Sequence, residues 1–322
     1  MILNLRSLSE SARTRLLDGA RRLRDVAVGA ALTGGNPTSA IRTIDPARVT
    51  AALAGRTVLV SGASSGIGRA VALRAADAGA HVVLVARSAD RLRSLEREIR
   101  LHGGRARSYA VDLSSTASTN ELLSQLAAAG VVVDVLVNNA GRSIRRSIDE
   151  SSDRLHDYER TMALNYFGSL RLILALLPDM RARKHGHIIN VSSAGAQMST
   201  PMFSAYVASK AALDAFTRVA ASEAHSDGVR FTTVYMPLVR TPMIAPTKAY
   251  RDAPALTPDQ AAELVLRPLV TLERQLGMGI AKLFNLAHVA APGTLEAVLG
   301  WGHRLLAEAE PAPAATESSR AA

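Results

Sequence analysis

Thr57-Val-Leu-Val-Ser61, followed at once by Gly62-Ala-Ser-Ser-Gly66-Ile-Gly68, decides the fold. The short apolar run reads as a buried strand, and the glycines after it as a tight turn. A helix then runs to about Ala78, Gly79 ends it, and His81–Ala86 is a second apolar strand. A strand, glycine turn, helix and strand in this order form the context that dinucleotide binding requires. Glycines let backbone approach the ligand, and the helix N-terminus receives the pyrophosphate charge. The spacing is Gly-x-x-x-Gly-x-Gly rather than the commoner Gly-x-Gly-x-x-Gly, and Gly62, Ser64, Ser65, Gly66, Ile67 and Gly68 become candidate cofactor contacts. A glycine turn by itself also serves purely structural ends.

The end of the second strand speaks to which dinucleotide. A carboxylate there would bond the adenosine ribose 2′-hydroxyl and favour NAD. This chain has Ala86-Arg87, and a guanidinium can pair with a 2′-phosphate, which points to NADP(H). The alternative is an ordinary surface arginine.

The same rhythm continues. A helix over about 89–102 leads to a strand Arg107–Val111, followed by Asp112-Leu113. A helix over about 115–129 leads to Val133–Val137, which ends in Asn138-Asn139-Ala140-Gly141. A long helix over about 152–180 carries Asn165, and strand His187–Val191 ends in Ser192-Ser193. A helix over about 203–225 and strand Val229–Tyr235, ending in Met236-Pro237, complete the series. Strands alternating with helices give an α/β fold with a doubly wound parallel sheet. Ligands of such sheets bind at the strand carboxyl ends, where the glycine turn, Asn139, Ser193 and Pro237 all fall.

Within the 203–225 helix stands Tyr206-Val-Ala-Ser-Lys210. Residues four apart share a helix face, so the phenol and the ammonium can address one small volume. A nearby cation lowers a phenol's pKa, and such a tyrosine can exchange a proton with a substrate oxygen. Taken alone, this spacing also describes a solvated face.

The whole chain narrows the classes. Its 322 residues are 48% apolar, which suits a globular protein, and contain no cysteine. Disulfides, cysteine nucleophiles and cysteine-ligated metals are therefore excluded, in keeping with a cytoplasmic location. His185 and His187 flank a strand start without metal-ligand spacing and read as surface residues, so no metal is expected. The net charge of +10 invites nucleic-acid binding, but residues 1–56 hold nine Arg against four acids, half of the excess. No basic run is interleaved with aromatics, and nucleic acid is not an expected partner. Residues 3–31 show apolar positions at helical spacing with arginines largely elsewhere. Such a helix either lies on an anionic membrane or packs on the protein body or a partner subunit. No secretory signal or run of about 20 apolar residues is evident.

Taken together, Ser61-Gly-Ala-Ser-Ser-Gly-Ile-Gly68, Asp112-Leu113, Asn138-Asn-Ala-Gly141, Asn165, Ile188-Ile-Asn-Val-Ser-Ser193 and Tyr206-x-x-x-Lys210 resemble the short-chain dehydrogenase/reductases over about residues 54–275. The resemblance implies a single Rossmann-type catalytic domain there. An N-terminal helical extension and linker (1–53), an apolar C-terminal helical region over the substrate side (276–307) and a disordered tail (308–322) would flank it. It also implies roles. Tyr206 would be the general acid in reduction, and Lys210 would tune it and hold the nicotinamide ribose. Ser193 would bond the substrate carbonyl, and Asn165 would hold a relay water. Asp112 and Leu113 would border the adenine, Asn139, with Ala140 and Gly141, the ribose, and Thr241 the nicotinamide amide. A homo-oligomer is the family's habit.

The chain departs from the family pattern in places. Ser61 stands where threonine is usual, and the hydroxyl is kept. Met236-Pro-Leu-Val-Arg-Thr241-Pro-Met-Ile-Ala-Pro-Thr247 lacks the usual glycine, so the loop is stiffer. The usual glycine-rich closing segment is absent, leaving Gly277–Leu283 as the candidate last strand and the common tetramer in doubt. The segment from Pro237 to Thr247 is similar to one in bacterial fatty acyl-CoA reductases and related lipid reductases. Met243, Ile244, Leu283, Phe284, Leu286, Val289, Leu295, Val298, Leu299 and Trp301 either line an acyl channel or are ordinary packing residues. The expectation is an NADPH-dependent reductase of a lipophilic carbonyl, a fatty acyl-CoA or β-keto acyl lipid. Alternatives are a steroid- or retinoid-like alcohol dehydrogenase and a non-catalytic NADP-binding regulator; the presence of both Tyr206 and Lys210 speaks against the regulator.

Overall fold

A computed structural model describes residues 44–309 apart from 248, 249 and 278. The expected helix over 3–31 and nearly all of the expected tail lie outside the described residues. The described chain opens with α1 (Pro46–Leu53), then β1 (Thr57–Ser61), α2 (Gly66–Asp77), β2 (His81–Ala86), α3 (Ala89–Leu101) and β3 (Arg105–Ala110). The second half holds α4 (Thr116–Ala128), β4 (Val135–Asn138), α5 (Leu155–Met162), α6 (Ser169–Ala182) and β5 (Gly186–Ser193). It continues with α7 (Ala194–Met198), α8 (Ser204–Glu223), β6 (Val229–Met236), α9 (Pro258–Leu266) and α10 (Pro268–Thr271). β7 (Gln275–Leu276), α11 (Gly279–Ala290) and α12 (Pro292–Ala309) close it.

The strands form one parallel seven-stranded sheet in the order β3-β2-β1-β4-β5-β6-β7. Both faces are covered, so strand residues of either parity are apolar. Val58, Val60, Val82 and Leu84 pack under α2, α3 and α9, whereas Leu59, Val83 and Val85 pack under α4, α6 and α8. Strand order reverses between β1 and β4, and this switch point is where such sheets open a ligand crevice.

α2 reaches the sheet closely because its buried face is Ala70, Ala72, Ala75 and Ala76. Between α5 and α6 the helix widens into a π-turn over Ala163–Gly168, which buries Asn165. The stretch Leu155–Ala182 is apolar and long enough by composition to cross a bilayer. Leu172, Ile173 and Met180 on it are nevertheless fully buried in the core, so this helix belongs to the folded domain.

Two expectations fail here. The last strand is Gln275–Leu276, paired with Thr233 and Val234, and not Gly277–Leu283, whose residues from Gly279 onward enter α11. Helical apolar spacing in Ile280, Ala281, Phe284 and Leu286 wins over the strand pattern. His187 is buried and not a surface residue; its Nε2 lies 2.9 Å from the Thr232 hydroxyl.

Candidate active site

The glycine turn is built for a close ligand. Gly62 and Gly66 have φ of +69° and +55°, a region other residues rarely enter. A Cβ on Gly68 would lie 2.3 Å from the Gly62 carbonyl oxygen. Ser65 caps α2 without a side-chain hydrogen bond, and no acid occupies the first turn. The N–H groups there are left for an anion, and the helix dipole favours one. These features fit a dinucleotide pyrophosphate, with Ser64, Ser65 and Ile67 in the turn and the first helical turn.

One hydroxyl ties this turn to β4. Ser61 Oγ accepts from the Asn139 and Ala140 amides, each at 3.0 Å, and donates to Val137 O at 3.3 Å. Asn139 Nδ2 donates back to Ser61 O at 3.0 Å. Thr241, from the loop after β6, arches over the turn: a Cβ on Gly66 would meet its Cγ2 at 2.9 Å.

At the far end of the crevice Asp112 accepts from the Ser114 amide at 3.0 Å and hydroxyl at 2.6 Å. Burial alone would raise the Asp112 pKa; the Ser114 bonds, Arg87 and Arg142 outweigh it and hold the carboxyl below its usual range. Arg142 thus joins Arg87 beside Asp112, a second guanidinium that sequence reasoning missed. Burial, and then the neighbouring Arg160 and Arg87, depress its pKa. Leu113 is buried against Gly168, where a Cβ would lie 2.8 Å from the Leu113 carbonyl.

Tyr206 and Lys210 lie one turn apart on α8 and face the crevice. Lys210 is 4% exposed and donates to Val191 O at 2.7 Å. Burial pulls its pKa down to about 8. The expectation that Lys210 depresses the Tyr206 pKa does not hold in this arrangement. Burial pushes the phenol up, and the opposing influence is a hydrogen bond with Ser193. The ammonium is instead turned toward the β5 backbone. Ser193 also accepts from the Gly195 amide at 3.1 Å, so it caps α7 as well as meeting Tyr206.

Asn165 is fully buried and braces the site. Its Oδ1 accepts from the Arg142 amide at 2.8 Å, and its Nδ2 donates to Arg142 O and Ser209 Oγ, each at 2.9 Å. Its side chain is therefore committed to protein partners. Gly141 keeps the space between: a Cβ there would lie 3.3 Å from Asn165 Oδ1 and 3.6 Å from Lys210 Nζ.

Tyr206 and Ser193 open into a cavity of about 270 Å³. Its outer wall is Met198, Phe203, Val207, Met243, Ile244 and Tyr250, almost wholly apolar. Of the nine channel candidates whose side chains are described, only Met243 and Ile244 line it. Leu283, Leu286, Val289 and Val298 are exposed on α11 and α12, and Leu295 is buried apart from the cavity. Phe284 and Leu299 do not line it either, and the Trp301 side chain lies outside the described residues. α11 instead supports the cavity from behind, with Ala281 packed on Ala194 and Met198. Sequence reasoning also missed Arg240. It donates to the carbonyls of Tyr250, Arg251 and Ala253 at 3.0, 2.7 and 2.6 Å and closes the substrate loop on itself. Tyr250 stacks on Phe203 with ring centroids 6.4 Å apart.

Known proteins resemble this chain in sequence and fold. A fatty acyl-CoA reductase of Acinetobacter baylyi is 47% identical over 251 residues, covering 78% of this chain and 85% of that protein. Fatty acyl-CoA reductase Rv0547c of Mycobacterium tuberculosis is 44% identical over 255 residues, 79% of this chain and 87% of that one. A metagenomic short-chain oxidoreductase crystallised with NADP superimposes with a TM-score of 0.61 at 33% identity, covering 70% of this chain and 98% of its own. The short chain dehydrogenase family model matches residues 56–252. With the sheet order, the glycine turn and the Ser193–Tyr206–Lys210 cluster already in place, the chain belongs to the short-chain dehydrogenase/reductase family of oxidoreductases.

Proposed function

We propose that this protein uses NADPH to reduce the carbonyl of a lipophilic acyl substrate, with a fatty acyl-CoA thioester the favoured case. The observation that carries the reading is the cavity opening on Tyr206 and Ser193, whose outer wall of Met198, Phe203, Val207, Met243, Ile244 and Tyr250 offers a chain-like substrate an apolar surface. The high similarity to proteins named fatty acyl-CoA reductases supports the same substrate class.

NADPH, when bound, supplies the hydride. Gly62, Ser64, Ser65, Gly66, Ile67 and Gly68 hold its pyrophosphate side, and Arg87 with Arg142 the 2′-phosphate. Asp112 and Leu113 border the adenine, Asn139, Ala140 and Gly141 the ribose, and Thr241 the nicotinamide amide. Lys210 holds the nicotinamide ribose hydroxyls.

Carbonyl reduction needs a proton donor at neutral pH, and a phenol pushed up by burial stays protonated there. As the carbonyl oxygen gains charge, Ser193 and Tyr206 donate hydrogen bonds to it, and the Tyr206 proton then transfers. With a thioester the product of this step is a hemithioacetal. Tyr206, now a phenolate, takes back the hydroxyl proton as the C–S bond breaks. The aldehyde and a thiolate leave, and the thiolate takes a proton from water. Asn165 positions Arg142 and Ser209, and a relay water would meet its main chain, since its side chain is occupied.

Purified protein should oxidise NADPH with long-chain acyl-CoA and release free thiol in equal amount. NADPH consumption without thiol release, seen only with β-ketoacyl substrates, would replace the thioester with a keto group. We also propose the organisation 1–53, 54–275, 276–307 and 308–322 stated above, a homo-oligomer, and a cytoplasmic protein that contacts membranes through residues 3–31. Deleting residues 1–35 should abolish liposome binding, and unchanged binding would remove that contact.

A further inference from the structure

Tyr206, Lys210 and Asp214 succeed one another at intervals of four on α8, which places all three along one side of the helix. The third member has no part in the chemistry above. Its carboxylate accepts a short hydrogen bond from the Tyr235 hydroxyl on β6. Thr233, on the same strand, bonds it as well, and Arg218 lies near it on α8. Burial pushes the Asp214 pKa up, and these donors, Arg218 and Lys210 all oppose the rise. Tyr235 is itself held above the usual phenol range, by burial first and then by its bond to Asp214, so it remains a donor.

Lys210 is a buried cation whose hydrogen bond is to a neutral carbonyl. Burial disfavours its charge, and the charge that opposes this loss is Asp214. Tyr206, one turn earlier, is its other polar neighbour on the helix and is neutral at working pH.

We propose that Asp214 is the counter-charge of Lys210: a carboxylate fixed by Tyr235 and Thr233 that keeps the buried ammonium charged and so sets the upper pH limit of turnover. Asp214 touches neither substrate nor cofactor and acts through Lys210 as a positioning residue. The proposal rests on the oxidoreductase reading for its effect on turnover, but the electrostatic coupling itself can be read without turnover.

The chain has four lysines, at positions 184, 210, 248 and 282. Protein labelled with ¹³Cε-lysine therefore gives four resonances, and Lys210→Arg assigns one of them. In the wild type the Lys210 resonance should titrate near pH 8. Asp214→Asn keeps the shape and an acceptor for Tyr235, and should move that midpoint down by about one unit. Asp214→Glu should bring it back to within about half a unit of wild type, and also serves if the Asn variant folds poorly. Tyr235→Phe keeps the carboxylate and should move it by less than half as much as Asp214→Asn. The alkaline limb of NADPH-dependent turnover should shift in parallel. An unmoved Lys210 midpoint in Asp214→Asn overturns the proposal. Equal shifts in Asp214→Asn and Tyr235→Phe overturn it too, since they would report loosening of the site and not a lost charge. A moved midpoint in a protein without reductase turnover would keep the coupling and refute only the function.

Discussion

Ser61→Ala removes one oxygen from the junction of β1 and β4. In the wild type that oxygen accepts from the Asn139 and Ala140 amides at 3.0 Å each. Alanine leaves both N–H groups in place without a partner. Each orphaned donor costs about 1–3 kcal/mol when buried. Asn139 and Ala140 are only half-buried, so the lower end applies. Two donors at about 1 kcal/mol each give a loss of about 2 kcal/mol. With a urea slope of about 3 kcal/mol/M, the unfolding midpoint should fall by about 0.7 M. Amide exchange at Asn139 and Ala140 should accelerate, because the bonds that protect them are gone. NADPH affinity should weaken too, since the same bonds hold the Asn139–Gly141 turn. Ser61→Thr, which restores the hydroxyl, should stay within about 1 kcal/mol of wild type. A Ser61→Ala protein with wild-type midpoint and unchanged exchange at both amides would refute the strut.

Other expectations concern single residues. Gly68→Ala should abolish NADPH binding, measured by nicotinamide fluorescence, because its Cβ would lie 2.3 Å from the Gly62 carbonyl; retained affinity would mean that the turn relaxes freely. Arg87→Ala should raise the KM for NADPH by about tenfold or more, as loss of a charged hydrogen bond does, and leave that for NADH nearly unchanged; equal effects on both would remove the 2′-phosphate assignment. His187 has its pKa lowered to about 4 by burial, with Arg230 and Arg56 adding to the effect, against an ordinary 6.5. The unfolded chain takes up a proton below pH 6.5 that the fold excludes, so stability is lost as pH falls from about 6.5 to 4, by up to about 3 kcal/mol. Thermal melts should show this slope, and His187→Gln should flatten it.

The framework was legible because its signals are local. β1, β2 and the glycine turn carry apolar runs and glycines whose meaning does not depend on distant partners, and their bounds match the expectation. The strand ends that form the site follow from the same rhythm. Long-range geometry was not legible. Arg142 lies near enough to Asp112 to lower its pKa, and its backbone is held by Asn165, 23 residues away; neither relation shows in the local sequence. Arg240 pins three carbonyls 10 to 13 residues on, and a basic residue in a proline-rich loop gives no sign of that. The apolar residues of α11 and α12 matched an acyl channel in composition, but which side of a helix meets the cavity is set by packing, and most of them face outward. The phenol pKa failed for a related reason. Spacing put a cation near Tyr206, whereas burial raises the phenol and Lys210 spends its hydrogen bond on Val191 O.

The central claim is that Tyr206 donates the proton in NADPH-dependent reduction of a lipophilic acyl carbonyl. The most direct measurement is NADPH oxidation at about 340 nm, the nicotinamide absorbance used to follow hydride transfer. Wild-type protein and Tyr206→Phe should be compared with long-chain acyl-CoA and β-ketoacyl substrates, with NADH in parallel. Turnover of a long-chain substrate with NADPH, lost by about 100-fold or more in Tyr206→Phe while NADPH still binds, is the predicted result. Undiminished turnover in Tyr206→Phe, or NADPH binding with no turnover of either lipid class, would contradict it.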